Sequence, residues 1–288
     1  MDTTGAEPEG RRPEPLWVEE LVAASAEDGI ALDGLLIRPE GSAGRPAVVW
    51  VHGFGANFCF PPYLRLARAL AAQGVASVVA NTRGHDLGTF LQPRDRPPYW
   101  GGGLWELFDE APRDLAGWVD LVVGAGFPGA VLLGHSLGAA KVTHYLAQRK
   151  DPRVRGLALA SPPLRPSWDT RAHPAALAEA RELVAAGRPE ALFAGPWGPV
   201  SAQTYLGFDR VGFDQFGRST DEPGLASVVC PVFAVIGANY EHVCTPADLA
   251  IIERHAAAAV LEHAGGREGA GVKAARRAPR PTRGSPPR

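Results

Sequence analysis

The stretch Val131-Leu132-Leu133-Gly134-His135-Ser136-Leu137-Gly138-Ala139-Ala140 decides the fold. An apolar run precedes Gly134 and a helix-compatible run follows Gly138, so Gly134, Ser136 and Gly138 form a glycine-x-serine-x-glycine turn between a strand and a helix. A turn that sharp holds its serine in a strained backbone conformation, and the flanking glycines let neighbouring chain approach where a Cβ would obstruct it. Ser136 Oγ is therefore expected above a sheet, at the N-terminal end of a helix, as a nucleophile. The plainer reading is a tight turn that merely contains serine; both glycines and both flanking elements argue against it. His135 is read as structural, because the side chain beside the nucleophile points elsewhere on such a turn.

Upstream, Ala47-Val48-Val49-Trp50-Val51 is continuously apolar, as a parallel strand buried on both faces should be, and it runs into His52-Gly53-Phe54-Gly55. A strand end at this place supplies a first oxyanion donor. The backbone N–H groups of Phe54 and of Leu137, the residue after the nucleophile, are the candidate oxyanion hole. His52 is read as bracing its loop by hydrogen bonding. Further out, the pattern predicts strands at 75–80, 130–133, 154–160, 231–236 and 259–261 and helices at 63–73, 107–123, 138–148 and 247–258, behind an antiparallel pair spanning 17–38. Such alternation makes a mostly parallel sheet covered by helices.

The alternation fails between about 162 and 226. A helix over 175–186 is followed by GPWGPVSAQTYLGFDRVGFDQF at 195–216, which shows no clear strand period, and the whole stretch is read as a cap inserted over the sheet's C-terminal edge. Its aromatic residues Trp168, Trp197, Tyr205, Phe208, Phe213 and Phe216 are expected either to line an apolar pocket or to form the cap's own small core.

Taken together, HGFG at 52–55, GHSLG at 134–138 and PVFAVIGANYEHV at 231–243 resemble the α/β-hydrolase superfamily from about Ala47 to Leu261, and Asn81-Thr82-Arg83-Gly84-His85-Asp86 is similar to the RGHG-like loop after the fourth strand of many members. The resemblance implies an α/β fold with a mostly parallel sheet of about eight strands, a serine, acid, histidine order along the chain, and no cofactor or metal. It does not imply a substrate. The family's acid falls about three residues beyond a strand-terminal glycine, here Gly237, which lands on Tyr240. Glu241 is the nearest carboxylate and the candidate acid, with Asp248 second; Asp248 also reads as a first-turn helical carboxylate. The family's base follows the last strand. Gly266 stands at the usual position, and His263, three residues earlier, is the candidate base.

A chain of 288 residues, 45% hydrophobic, is long enough for one large α/β domain and short for two. Its net charge of -2 argues against nucleic acid or a membrane surface as partner. Residues 265–288 differ from the rest, with seven Lys or Arg and one Glu. That stretch is expected to be a disordered tail lacking the family's closing helix, through a change of reading frame or a truncation, with a natural basic tail as the alternative. Residues 1–15 are acidic and Pro-rich and are expected to be a disordered leader, neither signal peptide nor anchor. The domain is then 16–264. Three cysteines without metal-ligand spacing, and no long apolar span, predict a cytoplasmic protein. The expected activity is serine-dependent hydrolysis of an ester, thioester or amide bond in a small-molecule acyl substrate, through an acyl-enzyme at Ser136. The rival is an impaired or non-catalytic hydrolase-like chain without the C-terminal histidine. Haloalkane chemistry is disfavoured, since it wants a carboxylate at the elbow. The sequence leaves the oligomeric state open.

Overall fold

A computed structural model describes residues 16–94, 96–211, 214–237, 242–256 and 259–264. The expectations for the 1–15 leader, the 265–288 tail, Phe213 and Glu241 fall outside the described residues.

The strands are β1 (Trp17–Ser25), β2 (Ala31–Pro39), β3 (Ala47–Val51), β4 (Ser77–Ala80), β5 (Thr89–Leu91), β6 (Tyr99–Gly101), β7 (Ala130–His135), β8 (Val154–Ala160), β9 (Leu192–Gly195), β10 (Gly198–Ser201), β11 (Val232–Gly237) and β12 (Ala259–Ala264). The helices are α1 (Pro61–Ala72), α2 (Ala111–Gly124), α3 (Leu137–Arg149), α4 (Pro174–Ala185), α5 (Ala202–Val211) and α6 (Leu249–His255). Eight strands form one sheet in the order β1-β2-β4-β3-β7-β8-β11-β12. Only β2 runs against the rest, pairing antiparallel with β1 and β4. The apolar run Ala47–Val51 is buried along its whole length, as the sequence requires of a strand covered on both faces.

Alternation along these strands sorts the core into two layers. Leu36, Val49, Val51, Val78 and Ala80 join the larger cluster with Trp118 of α2 and Tyr145 of α3, while Ile37, Trp50 and Val79 face Tyr63, Ala67 and Ala71 of α1. Helices therefore cover both faces. None among the described residues is long and apolar enough to cross a membrane.

The structure corrects the sequence at four places. The helix expected over 247–258 is a 3-10 turn, Pro246–Asp248, followed by α6, which ends before the extended Ala256. The helix expected over 107–123 is a 3-10 turn, Phe108–Glu110, followed by α2, because Pro112 suits the first turn of a helix and not its interior. The short antiparallel pair β5–β6 was not foreseen. The stretch read as lacking strand period holds the β9–β10 hairpin and α5; Gly198 at φ 117° and its Pro neighbours turn the chain and mask the alternation. Between β8 and β11, Leu177, Ala180, Phe193, Val200, Ala202 and Tyr205 pack as a separate small core.

Arg83, buried just beyond β4, gathers the N-terminal hairpin and α2 around itself. It pairs with Asp114 at 2.7 Å, with Glu110 at 2.7 Å and with Asp28 of the β1–β2 turn at 3.0 Å. A buried guanidinium needs carboxylate partners, and Arg96, paired with Glu110 at 2.7 Å, and Arg113, paired with Asp28 at 3.2 Å, balance the excess of three carboxylates around one arginine.

Candidate active site

Ser136 lies between β7 and α3 at φ 51° and ψ -120°. Geometry this far from the allowed regions costs a residue with a side chain about 1–3 kcal/mol. The glycines are sterically required. A Cβ on Gly134 would stand 2.3 Å from Gly138 O, and one on Gly138 would stand 2.4 Å from Val51 O and 2.5 Å from His52 O. The ends of β3 and β7 thus press directly on the start of α3, and the Ser136 amide donates to Ala160 O of β8 at 2.9 Å.

His52 is fully buried at the end of β3. Its Nε2 accepts from the Thr82 amide at 3.1 Å, which places the ring proton on Nδ1, and Nδ1–H donates to Gly53 O at 2.8 Å. Burial, reinforced by the charge of Lys141, holds its pKa down to about 3. With both nitrogens occupied and the ring neutral, His52 braces the loop. The Gly53 amide donates to Tyr63 Oη at 3.1 Å, and the same hydroxyl meets His135 Nδ1 at 2.9 Å. His135 is therefore engaged behind the elbow, its pKa lowered by burial.

Phe54, Ser136 and Leu137 open together into a pocket of about 70 Å³ whose other walls include Pro163, Trp168, Trp197, Val200 and Phe208. Trp168 and Trp197 stack with centroids 5.5 Å apart. Their indole N–H groups are spent on His242 O at 2.9 Å and Ser167 O at 2.7 Å, so the pair offers apolar surface. Of the other aromatics, Tyr205 packs on Phe193 in the small core between β8 and β11, and Phe216 is buried in the main core. Pro163 and the β10 residues were missed by sequence reasoning; no motif marks them.

The candidate acid and base stand differently. Glu241 is outside the described residues. Asp248 closes a capping box, accepting from Thr245 N at 2.6 Å and Thr245 Oγ1 at 2.9 Å on one oxygen and pairing with Arg218 through the other. The backbone of His263 lies in β12 opposite Ile236. With β8 and β11 intervening, it is three strand spacings from β7, about 14 Å at roughly 4.8 Å per strand. Cys244 is buried, and burial pushes its thiol up to about 12, which makes it inert as a nucleophile.

Comparison with known proteins adds three findings. The family model described as "Serine aminopeptidase, S33" matches residues 42–195, just over half of the chain. The human (lyso)-N-acylphosphatidylethanolamine lipase is 36% identical over 168 residues, 56% of this chain and 45% of the relative, so the chain spans about half the length of the curated relative it matches. Among solved structures, Est1E from Butyrivibrio proteoclasticus with ferulic acid bound superposes with a TM-score of 0.60 at 17% identity, covering 84% of this chain and 88% of that one. DcsB in complex with its substrate analogue gives 0.65 at 17% identity, covering 87% and 91%. At these identities the structural likeness shows the fold.

Proposed function

The chain belongs to the serine aminopeptidase S33 family of α/β hydrolases, and from that premise we propose that it cleaves an ester, thioester or amide bond of a small-molecule acyl substrate through an acyl-enzyme at Ser136. One observation carries the reading: the strained serine opens into the same apolar pocket as the two residues whose amides are the candidate oxyanion donors. In this mechanism a histidine takes the Ser136 proton as Oγ attacks the carbonyl carbon. The amides of Phe54 and Leu137 hold the resulting oxyanion, the protonated histidine gives its proton to the leaving group, and water then releases the acid by the reverse sequence. Glu241 is the orienting acid and His263 the base of this reading. The segment 162–226 acts as a cap, with Trp168, Trp197 and Phe208 receiving the acyl or alcohol part. The human relative is a lipase by name, which favours an ester. Three unpaired cysteines suit the cytoplasm.

A second reading is favoured by the position of β12. If His263 stays in register three strands from the elbow, the chain binds an acyl compound and turns it over poorly or not at all. A serine-directed fluorophosphonate probe, followed by mass-spectrometric location of the adduct, separates the two. Labelling at Ser136, abolished by Ser136→Ala together with ester hydrolysis, supports the hydrolase; a folded chain that is neither labelled nor active rejects it.

A further inference from the structure

Lys141, in the second turn of the helix that Ser136 begins, is buried together with Glu106, each side chain 1% exposed and the two 2.5 Å apart. Replacing such a buried ion pair by apolar side chains of similar volume is often neutral or stabilising, so stability alone does not explain it. The cost is visible: the second oxygen of Glu106 is buried with no hydrogen-bond partner among the described residues, and Gly84 must lack a Cβ, which would stand 1.9 Å from the first.

What the ammonium touches explains its retention. Lys141 Nζ donates to Thr82 Oγ1 at 3.1 Å. An ammonium has donors only, so the Thr82 hydroxyl must accept there, and its own hydrogen is free to point at His52 Nε2, 3.0 Å away. Nε2 then faces two donors, the hydroxyl and the Thr82 amide, and the imidazole proton is confined to Nδ1, where it meets Gly53 O at 2.8 Å. The Gly53 carbonyl and the Phe54 N–H belong to one planar trans peptide and point in opposite directions. Holding the carbonyl toward His52 therefore aims the Phe54 N–H away from it. With the other tautomer, an N–H would confront the Thr82 amide and a lone pair would confront Gly53 O. Among the described residues, only the longer contact from the Ala56 amide, 3.3 Å, would still hold that carbonyl.

We propose that the buried Lys141–Glu106 pair is a positioning device that, through Thr82 and His52, fixes the direction of the Phe54 N–H that receives the oxyanion. Its catalytic consequence rests on the serine-hydrolase reading; the hydrogen-bond polarity does not.

The test uses Lys141→Met/Glu106→Gln, which removes both charges without stranding either, and Thr82→Val against Thr82→Ser, which differ in the hydroxyl. Two readouts are taken: kcat and KM on a p-nitrophenyl ester, and the imidazole 15N signals of His52, assigned by their loss in His52→Gln. Full loss of one oxyanion donor costs about 10²- to 10³-fold in rate, so a misaimed donor is expected to lower kcat by about 10- to 100-fold with KM within about twofold. The parent should show one protonated and one unprotonated His52 nitrogen. The double variant and Thr82→Val, which keep the backbone amide of residue 82 as a donor to Nε2, should show signals moved part of the way toward averaging, and Thr82→Ser should recover most of what Thr82→Val loses. Unchanged 15N signals in a folded variant, or an unchanged kcat, overturn the proposal and leave the Thr82 amide as the sole director of His52. If the double variant does not fold, the Thr82 pair decides. If the parent is neither labelled nor active, the hydrolase reading fails, and the 15N signals alone decide the positioning claim.

Discussion

Replacing Ser136 by glycine is expected to stabilise the protein while removing its candidate nucleophile. At φ 51° and ψ -120° a residue with a Cβ carries about 1–3 kcal/mol of strain, which glycine escapes. Glycine returns about 0.5–1 kcal/mol of that through the greater freedom of its unfolded chain. The net gain is about 0–2.5 kcal/mol, or up to roughly 10 °C in Tm for a domain of this size. Ser136→Ala is the control: it loses the same hydroxyl but keeps the Cβ and hence the strain, so it should melt near the parent. Thermal and urea unfolding of the three proteins, with fluorophosphonate labelling as the check that both variants are inactive, measure the difference. A Ser136→Gly protein no more stable than Ser136→Ala would refute the claim that the elbow stores backbone strain.

The pKa of His52 predicts a pH dependence of stability. It is about 3 in the folded chain against an ordinary 6.5, so below 6.5 the unfolded state binds the extra proton; stability is full above 6.5 and falls toward 3 by about 1.4 kcal/mol per pH unit. His52→Gln should show a shallower loss than the parent in urea unfolding between about pH 7 and pH 5; equal slopes would contradict the assigned neutrality. Trp197→Ala opens the pocket wall and should raise the kcat/KM ratio of an octanoyl over an acetyl ester by about tenfold or more, given 1–3 kcal/mol per methylene accommodated. Asp248→Asn should lower Tm and leave kcat within a few-fold, since its carboxylate is spent on Thr245 and Arg218, whereas Glu241→Gln should lower kcat by about 10³- to 10⁴-fold. The reverse ranking would make Asp248 the acid.

The elbow was legible because its pattern is local: Gly134, Ser136 and Gly138 fall within five residues and the strand and helix around them follow directly in sequence, although the carbonyls that require Gly138 belong to the distant Val51 and His52. The buried strands were legible for the same reason, since a strand covered on both faces must be apolar throughout, as 47–51 is. The β9–β10 hairpin was not, because four-residue strands broken by Gly and Pro leave too few positions for a period to show. Lys141 and Glu106 were missed although a lysine within the apolar run of α3 was a signal; its partner lies on another loop, and nothing local joins the two. The candidate acid and base were hard to place because they depend on where loops return in space, which spacing along the chain does not fix.

The ion cluster at Arg83 makes the first two strands more than an addition to the parallel sheet. Asp28 sits in their turn, yet the guanidinium it completes lies beyond β4, across a connection that passes Gly41 and Gly44, where an added Cβ would meet nothing. A cut in that connection divides the chain where it tolerates change, and the two pieces still share one buried charge. The hairpin becomes a detachable guest whose return to the sheet can be titrated. Its affinity for the larger piece, with Asp28 and with Asp28→Asn, would measure as a binding constant what a third carboxylate contributes to the charge cluster around a buried arginine.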